Sequence, residues 1–522
     1  MEFSLDDKSL ASRLTGVAWI LLAGITVFPY LAGVVAMNDE VSLVYHFNGA
    51  TSLSNEDIGR WVWTYKFFRP LDQLLAPYLV DGPSRSARVA MLLHLPGLIG
   101  LIAVVSYWTR RLVPREPIAV PIVILVLAFS TATSLSLWQL DTSTQTWSAA
   151  VGIWFCGLTW LATRAIRNGT EGPRAWLLVG VGALGLLTKE TFLGWYAVAL
   201  LIFVASWVLD RRAPVPKKGD SPSSWIRAFL AVATLPALFL VARLLSTTLG
   251  DVATQGEGHY GVHLGPNLVK NAALSVLGFL PNGPSHAVFG LSHAPIWVRA
   301  LSPLAFGLCA LLVAMPWFFS RLWKQDSPLT KRRELYAAAL LCFLASAIVW
   351  PTRQISEVNL LGPNFGGALL IAAGVMDTRR IFLNAGPATS RLVFGRVLLW
   401  GTILSAVLLL SLGLVSRGRH MAVSWEWVVT LKDAVRSHQA SLRETGTPAG
   451  IFVPAACRGD DRGYSQIVVS PERALRPSLT LWWLNYENPT RKLSAYRLGP
   501  ESRLTSRDLI LPCDSLRPRP WW

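Results

Sequence analysis

Three short charged elements stand at the edges of apolar stretches, and their residue types suit transfer of a phosphate-linked group. Asn38-Asp39-Glu40 follows the first apolar run at once, Leu140-Asp141 lies between the third and fourth, and Lys189-Glu190 marks the joint of the fifth and sixth. A site that moves a group off a phosphate needs a carboxylate to take a proton from the acceptor hydroxyl. It also needs fixed cations to hold the leaving phosphate. Each element has a plainer reading. Asp39 and Glu40 can simply mark a helix end at a membrane interface. Asp141 can cap the following helix, since short polar side chains satisfy its open N–H groups. Lys189 and Glu190 can be a local ion pair that stops two short helices. The conjunction of all three carries the functional reading, because carboxylates near a bilayer surface are costly unless solvated, paired or used.

The elements that must position these groups are apolar. Of 522 residues, 52% are hydrophobic and only 15% charged, against roughly 25% charge in an ordinary soluble domain. Disorder and collagen are excluded by the apolar content, and a disulfide scaffold by five Cys in so long a chain. The net charge of +17 does not point to nucleic acid, because most basic residues sit in short segments between apolar runs. The 23 Trp residues suit membrane–water interfaces. The composition therefore predicts an all-α polytopic membrane protein. About eleven runs approach the length that crosses a roughly 30 Å hydrocarbon core: 14–37, 88–109, 117–137, 145–163, 174–189, 191–209, 226–249, 296–320, 335–350, 363–377 and 395–415. The fifth and sixth almost touch between Lys189 and Thr191, so a tight turn or broken helix is expected there.

Orientation follows from basic residues near run ends. One set of connections holds Lys8 and Arg13; Arg110, Arg111 and Arg115; Arg164, Arg167 and Arg174; Arg211, Arg212, Lys217, Lys218 and Arg227. It continues with Arg321, Lys324, Lys331, Arg332 and Arg333, then Arg379, Arg380, Arg391 and Arg396. The alternate set, despite longer loops, holds far fewer: Arg60, Lys66, Arg69, Arg85, Arg88, Lys189, Lys270 and Arg353. This predicts a cytoplasmic N-terminus and, with eleven spans, a C-terminal region from about residue 417 on the outer side; a cleavable signal is not expected, because Asp6 and Asp7 precede a first run too long for one and without a clear small-residue cleavage site.

Two domains are expected: a membrane module over 1–416, with external loops at about 38–87 and 250–295, and an extracytoplasmic domain over 417–522. In the first loop Trp61, Tyr65, Phe68, Leu71, Leu75 and Tyr78 recur at helical spacing, which reads as an interfacial amphipathic helix interrupted near Arg69-Pro70. The second loop is rich in Gly, Pro, Asn and His, with one helix expected around 266–279. In the outer domain, Trp425 to Leu442 carries an amphipathic helix, and 451–455, 466–470, 479–486 and 508–511 read as strands, giving a small α/β fold. Cys457 and Cys513 flank this strand set, whereas Cys156, Cys309 and Cys342 lie inside apolar runs. A Cys457–Cys513 bridge would close a loop of about 57 residues and add roughly 2–4 kcal/mol; two unrelated thiols are the alternative.

On these elements the chain resembles the C-type superfamily of integral-membrane glycosyltransferases (GT-C), in particular the relatives of protein mannosyltransferases and lipid A aminoarabinose transferases. The match rests on Asn38-Asp39-Glu40-Val41-Ser42-Leu43-Val44-Tyr45, on Leu140-Asp141, on the small-residue and Leu-rich run 182–190 ending Thr188-Lys189-Glu190, and on Phe68-Arg69-Pro70-Leu71. It covers roughly the first 200 residues. The resemblance implies a GT-C-like fold and an inverting transfer of sugar from a polyprenyl-phosphate donor, as co-substrate, to an acceptor hydroxyl outside the cytoplasm. It implies Asp39 as general base with Glu40 positioning an acceptor or a metal, and Asp141 with Glu190 as an acidic wall. Lys189, then Arg69 and Arg353, would contact the donor phosphate. Some relatives use a divalent ion and others do not, so no fixed metal follows. The expected setting is a cell-envelope membrane, in particular a bacterial inner membrane, with membrane lipids as surroundings. The acceptor is a lipid, a polysaccharide or a protein.

Two other classes are weighed against it. A transporter or flippase of lipid-linked saccharide would show paired repeats and charged or broken helices at mid-membrane, whereas no repeat is evident and the conspicuous charges cluster at one surface. An O-antigen ligase or polymerase would favour an Arg- and His-rich large loop, yet 250–295 carries only Lys270 beside its His residues. Weaker signals remain. His259 and His263 sit four apart but among Gly residues that argue against a helix; Arg243 and His94 suit structural roles.

Overall fold

The computed structural model describes residues 5–31, 94–114, 116–130, 133, 143–188, 190–211, 222–249, 265–277, 296–323, 332–351, 357–384, 393–412, 450–453, 495–498 and 509–510. The apolar runs form helices because a backbone facing hydrocarbon must satisfy its N–H and C=O groups within the segment. In chain order these are α1 (Leu5–Leu31), α2 (His94–Leu112), α3 (Ala119–Ala128), α4 (Ser143–Asn168), α5 (Ala175–Thr188) and α6 (Leu193–Arg211). Then follow α7 (Pro222–Leu249), α8 (Pro266–Leu277), α9 (Ile296–Leu322), α10 (Arg333–Phe343), α11 (Leu361–Asn384) and α12 (Val393–Leu412). A helix overlaps each of the eleven apolar runs, and α8 falls where the second loop was expected to hold one.

Among the described residues, four helical segments are long and apolar enough to cross a membrane: Gln145–Asn168, Ser223–Val241, Pro303–Leu322 and Val393–Leu412. The architecture is consistent with a helical membrane protein. Two details differ from a simple series of straight spans. The run at 335–350 is α-helical only to Phe343 and then tightens into a 3-10 segment, Leu344–Val349. The joint of the fifth and sixth runs is a broken helix: α5 stops at Thr188 and a 3-10 turn, Glu190–Phe192, leads into α6.

α11 is the centre of the bundle, packed against α3, α9 and α10. All its residues from Leu361 to Leu369 are buried, as expected of a helix that is apolar or small all round. Its glycines set the spacing, in the manner of small residues at membrane-helix contacts. A Cβ at Gly374 would come 2.2 Å from the Leu312 carbonyl oxygen of α9, and one at Gly362 would come 2.7 Å from the Ala345 Cβ. Around this centre α4 packs on α2, α5 and α6, and α7 covers α5 and α6. α7 and α12 keep wide apolar faces outward, including Leu238, Leu240, Val397, Trp400 and Leu404, where hydrocarbon would lie. Cys156, Cys309 and Cys342 are buried and unbonded.

Near the C-terminus a three-stranded parallel sheet has the order β2-β1-β3, with β1 Gly450–Val453, β2 Ala495–Leu498 and β3 Leu509–Ile510. Ile451 pairs with both Tyr496 and Leu509. The first and last strands fall where they were expected, whereas β2 was not anticipated. The expected strands at 466–470 and 479–486, and Cys457 and Cys513, lie outside the described residues.

Candidate functional site

The α5–α6 joint is built on aromatic rings seated against glycines. Phe192 is fully buried, and a Cβ at Gly185 would lie 2.0 Å from its ring. One turn earlier, a Cβ at Gly182 would lie 2.3 Å from the Tyr196 hydroxyl. Phe155 of α4 completes the group, 4.8 Å from Tyr196 and 5.9 Å from Phe192 between ring centroids. The Thr188 hydroxyl closes α5 by donating to the Gly185 carbonyl at 2.6 Å. The small residues of the 182–190 run are therefore room for rings, and the rings hold the turn that carries Lys189 and Glu190 in the chain. Gly185→Val is expected to cost about 1–3 kcal/mol by overpacking, read as a lower thermal midpoint in detergent. Adding Phe192→Leu should recover part of the loss; an unchanged midpoint in Gly185→Val would contradict this packing.

Beside this joint the start of α4, the 190–192 turn, the 344–349 segment and a 3-10 turn at Glu357–Leu360 enclose one small polar cavity. Gln145 Nε2 donates to Asn359 Oδ1 at 3.1 Å, and Thr191 Oγ1 donates to Gln145 Oε1 at 3.3 Å. Ser148, Ser346 and Trp195 also line it. Nearby, Ser130 donates to Asn364 Oδ1, tying the end of α3 to the start of α11. α8 docks on the same end: Asn271 Nδ2 donates to the Trp350 carbonyl at 3.0 Å, and Trp350 Nε1 donates to Ser275 Oγ at 3.0 Å.

Asp39, Glu40, Arg69, Asp141, Lys189 and Arg353 lie outside the described residues. Glu190 opens the 190–192 turn, and its side chain is likewise outside the description. What the fold brings together is their described chain neighbours. Asp141 precedes Gln145 by four residues, Lys189 precedes Thr191 by two, and Arg353 precedes Asn359 by six. Gln145, Thr191 and Asn359 share the cavity.

A second cluster was not anticipated as a unit. Arg332, just before α10, reaches Glu116 Oε1 through Nη2 at 2.7 Å and Asp377 Oδ1 through Nε at 2.5 Å. Tyr336 donates to Asp377 Oδ2 at 3.3 Å. Burial works against the guanidinium charge, but the two carboxylates prevail and raise its pKa above the usual arginine value. This ion triad joins the ends of α3, α10 and α11, and along α11 it stands about 22 Å from the cavity. Sequence reasoning had counted Arg332 only toward orientation. The available signal was Asp377, an acid closing an otherwise apolar run. The amides and hydroxyls of the cavity gave a fainter one: Gln145 and Asn364 are polar residues inside apolar runs.

Fold and site define the class only coarsely: a helical membrane protein with a small polar cavity at one end of its bundle and an ion triad toward the other. No family model, no curated protein and no solved structure matches the chain. Among the described residues no group of three or more His, Cys, Asp or Glu is placed to hold a metal; His259 and His263 lie outside them.

Proposed function

We propose that the chain is a GT-C-like enzyme that moves a sugar from a polyprenyl-phosphate donor to an acceptor hydroxyl on the outer side of a bacterial inner membrane. Its membrane module crosses about eleven times, with the N-terminus in the cytoplasm and an α/β domain outside. The motif order in the first 200 residues suggests the chemistry. One observation carries it further: the described neighbours of Asp141, Lys189 and Arg353, distant in sequence, line a single cavity. The ion triad fits the same orientation, since Glu116, Arg332 and Asp377 belong to connections on the basic, cytoplasmic side.

In this reading Asp39 takes the proton of the acceptor hydroxyl as that oxygen attacks the anomeric carbon. The new C–O bond forms on the face opposite the phosphate, the bond to the phosphate oxygen breaks, and the configuration inverts. Polyprenyl phosphate leaves with the electron pair, its charge held by Lys189, Arg69 and Arg353. Cations fixed in a water-poor groove stabilise that charge more than water does. Glu40, Asp141 and Glu190 form the acidic wall that orients the acceptor.

The test is transfer by the purified chain in nanodiscs from synthetic polyprenyl-phosphate sugars to lipid, polysaccharide and peptide acceptors. Incorporation from monophosphate donors is expected, with inversion at the anomeric carbon. Turnover from diphosphate donors only, or movement of lipid-linked saccharide without bond formation, would replace this function with a ligase or a flippase.

A further inference from the structure

We infer that the seam between α2 and α4, at the end where both helices finish, binds an anionic phospholipid, with its phosphate between Arg111 and Arg164 and a chain along the outer ridge of α2. The binding does not depend on the function proposed above; only the leaflet, the cytoplasmic one, follows the orientation proposed there. The two helices run in the same direction, because Gly97 meets Trp147 and Gly157 meets Trp108. A Cβ at Gly97 would lie 3.1 Å from the Trp147 ring, and one at Gly157 would lie 2.1 Å from the Trp108 ring. Their C-terminal ends therefore stand side by side. Arg111 comes three residues after Trp108 and Arg164 seven after Gly157, so the two cations differ in height along the seam by about 6 Å. Arg167 follows Arg164 on the same flank of α4. Arg111, Arg164 and Arg167 are exposed. The Arg164 guanidinium lies over the Trp160 ring, 5.3 Å from its centroid, and Trp160 is itself 6.3 Å from Trp108. Contact with a seated ring restricts where the guanidinium can go, which lessens the ordering needed to hold an anion.

Away from the cations the same surface is apolar. Ile99, Ala103, Tyr107 and Arg111 follow one another at four-residue intervals, and all are exposed, so an apolar ridge of α2 ends in a positive charge. Tyr107 is 5.3 Å from Trp154 of α4 between ring centroids, which carries the ridge across the seam. A ligand that covers this surface is apolar for about 12 Å, from Ile99 to Tyr107, and negative at its tip. A phospholipid has that order, and basic sites at helix ends are where anionic headgroups settle. Guanidinium also matches phosphate geometry by giving two parallel N–H bonds. An acidic peptide would satisfy the cations but leave the ridge uncovered. Neighbouring charges are carried elsewhere by the fold. Arg110, two residues beyond Trp108, is about 200° round α2 from the seam. Glu171 and Arg174 belong to the turn that folds back on the α5 side of α4, where a Cβ at Gly172 would lie 2.6 Å from the Ala165 Cβ.

The experiment is native mass spectrometry of the full-length protein in detergent, with phosphatidylglycerol or phosphatidylcholine added at matched concentrations. The wild type is expected to hold one phosphatidylglycerol about tenfold or more above phosphatidylcholine. Arg111→Gln and Arg164→Gln should each weaken phosphatidylglycerol roughly fivefold and leave phosphatidylcholine within about twofold. Arg110→Gln and Arg174→Gln, which remove the same charge outside the seam, should leave both lipids within about twofold. Arg164→Lys should recover part of the loss, since it restores the charge without the fork. All these side chains are exposed, so thermal midpoints should be nearly unchanged. Losses of equal size in Arg110→Gln would assign the effect to diffuse surface charge. Unchanged binding in Arg111→Gln and Arg164→Gln would leave these arginines as complements to helix ends. Either result overturns the site. Displacement of the lipid by inorganic phosphate would give the seam to a free anion, and displacement by polyglutamate to an acidic protein. A dimer lost in Arg111→Gln would give it to a second copy of the chain; each of these overturns the lipid assignment.

Discussion

Arg332→Met is expected to lose folded protein, by about 3–5 kcal/mol of stability, seen as a sharp fall in monodisperse yield and thermal midpoint. Among the described residues the guanidinium is the one cation paired with both Glu116 and Asp377, and its side chain is 9% exposed, against 19% and 7% for its two partners. Deleting it leaves two carboxylates of like sign close together and largely withdrawn from water. Arg332→Lys should recover only part, because a single ammonium cannot present two separated N–H groups to two acids as the fork does here. Adding Asp377→Asn and Glu116→Gln to Arg332→Met should recover more than either alone, since neutral amides remove the uncompensated charge. A wild-type midpoint in Arg332→Met would mean that the triad does not hold α3, α10 and α11 together.

Asp39→Asn is expected to lower transfer about 10²–10⁴-fold, the usual size of a general-base contribution, while the folded protein stays in the membrane. The amide keeps the shape of the carboxylate but cannot take the acceptor proton. Donor binding should hardly change, so the effect belongs in kcat at saturating donor, with unchanged thermal midpoint as the control. Lys189→Gln should act differently, weakening the hold on phosphate and with it both donor binding and leaving-group departure. Normal turnover by Asp39→Asn would remove Asp39 from the chemistry and with it the first motif of the proposed family likeness.

Much of the helical layout was legible because apolar runs in a poorly charged chain have few other solutions. The α5–α6 break was visible in the charged pair Lys189-Glu190 between two apolar runs, and α8 in the short pattern following Pro266. Two features were not legible. Hydropathy does not separate an α-helix from the 3-10 segment at Leu344–Val349, since both are apolar and only backbone hydrogen bonding distinguishes them. β2, Ala495–Leu498, is too short and mixed to show alternation, and it is a strand through parallel pairing with β1.

The sequence by itself determined that this is an apolar, helix-forming chain, roughly where its helices lie, and which charged residues border them, because those properties are local sums over neighbouring side chains. Tertiary structure alone decided that Gln145, Thr191 and Asn359 meet around one cavity, and that Glu116, Arg332 and Asp377 meet in one ion cluster. Those partners are separated by up to 261 positions of the chain along which no local pattern runs. Their meeting follows from glycine-spaced packing of α11 against its neighbours, a property of the assembled bundle.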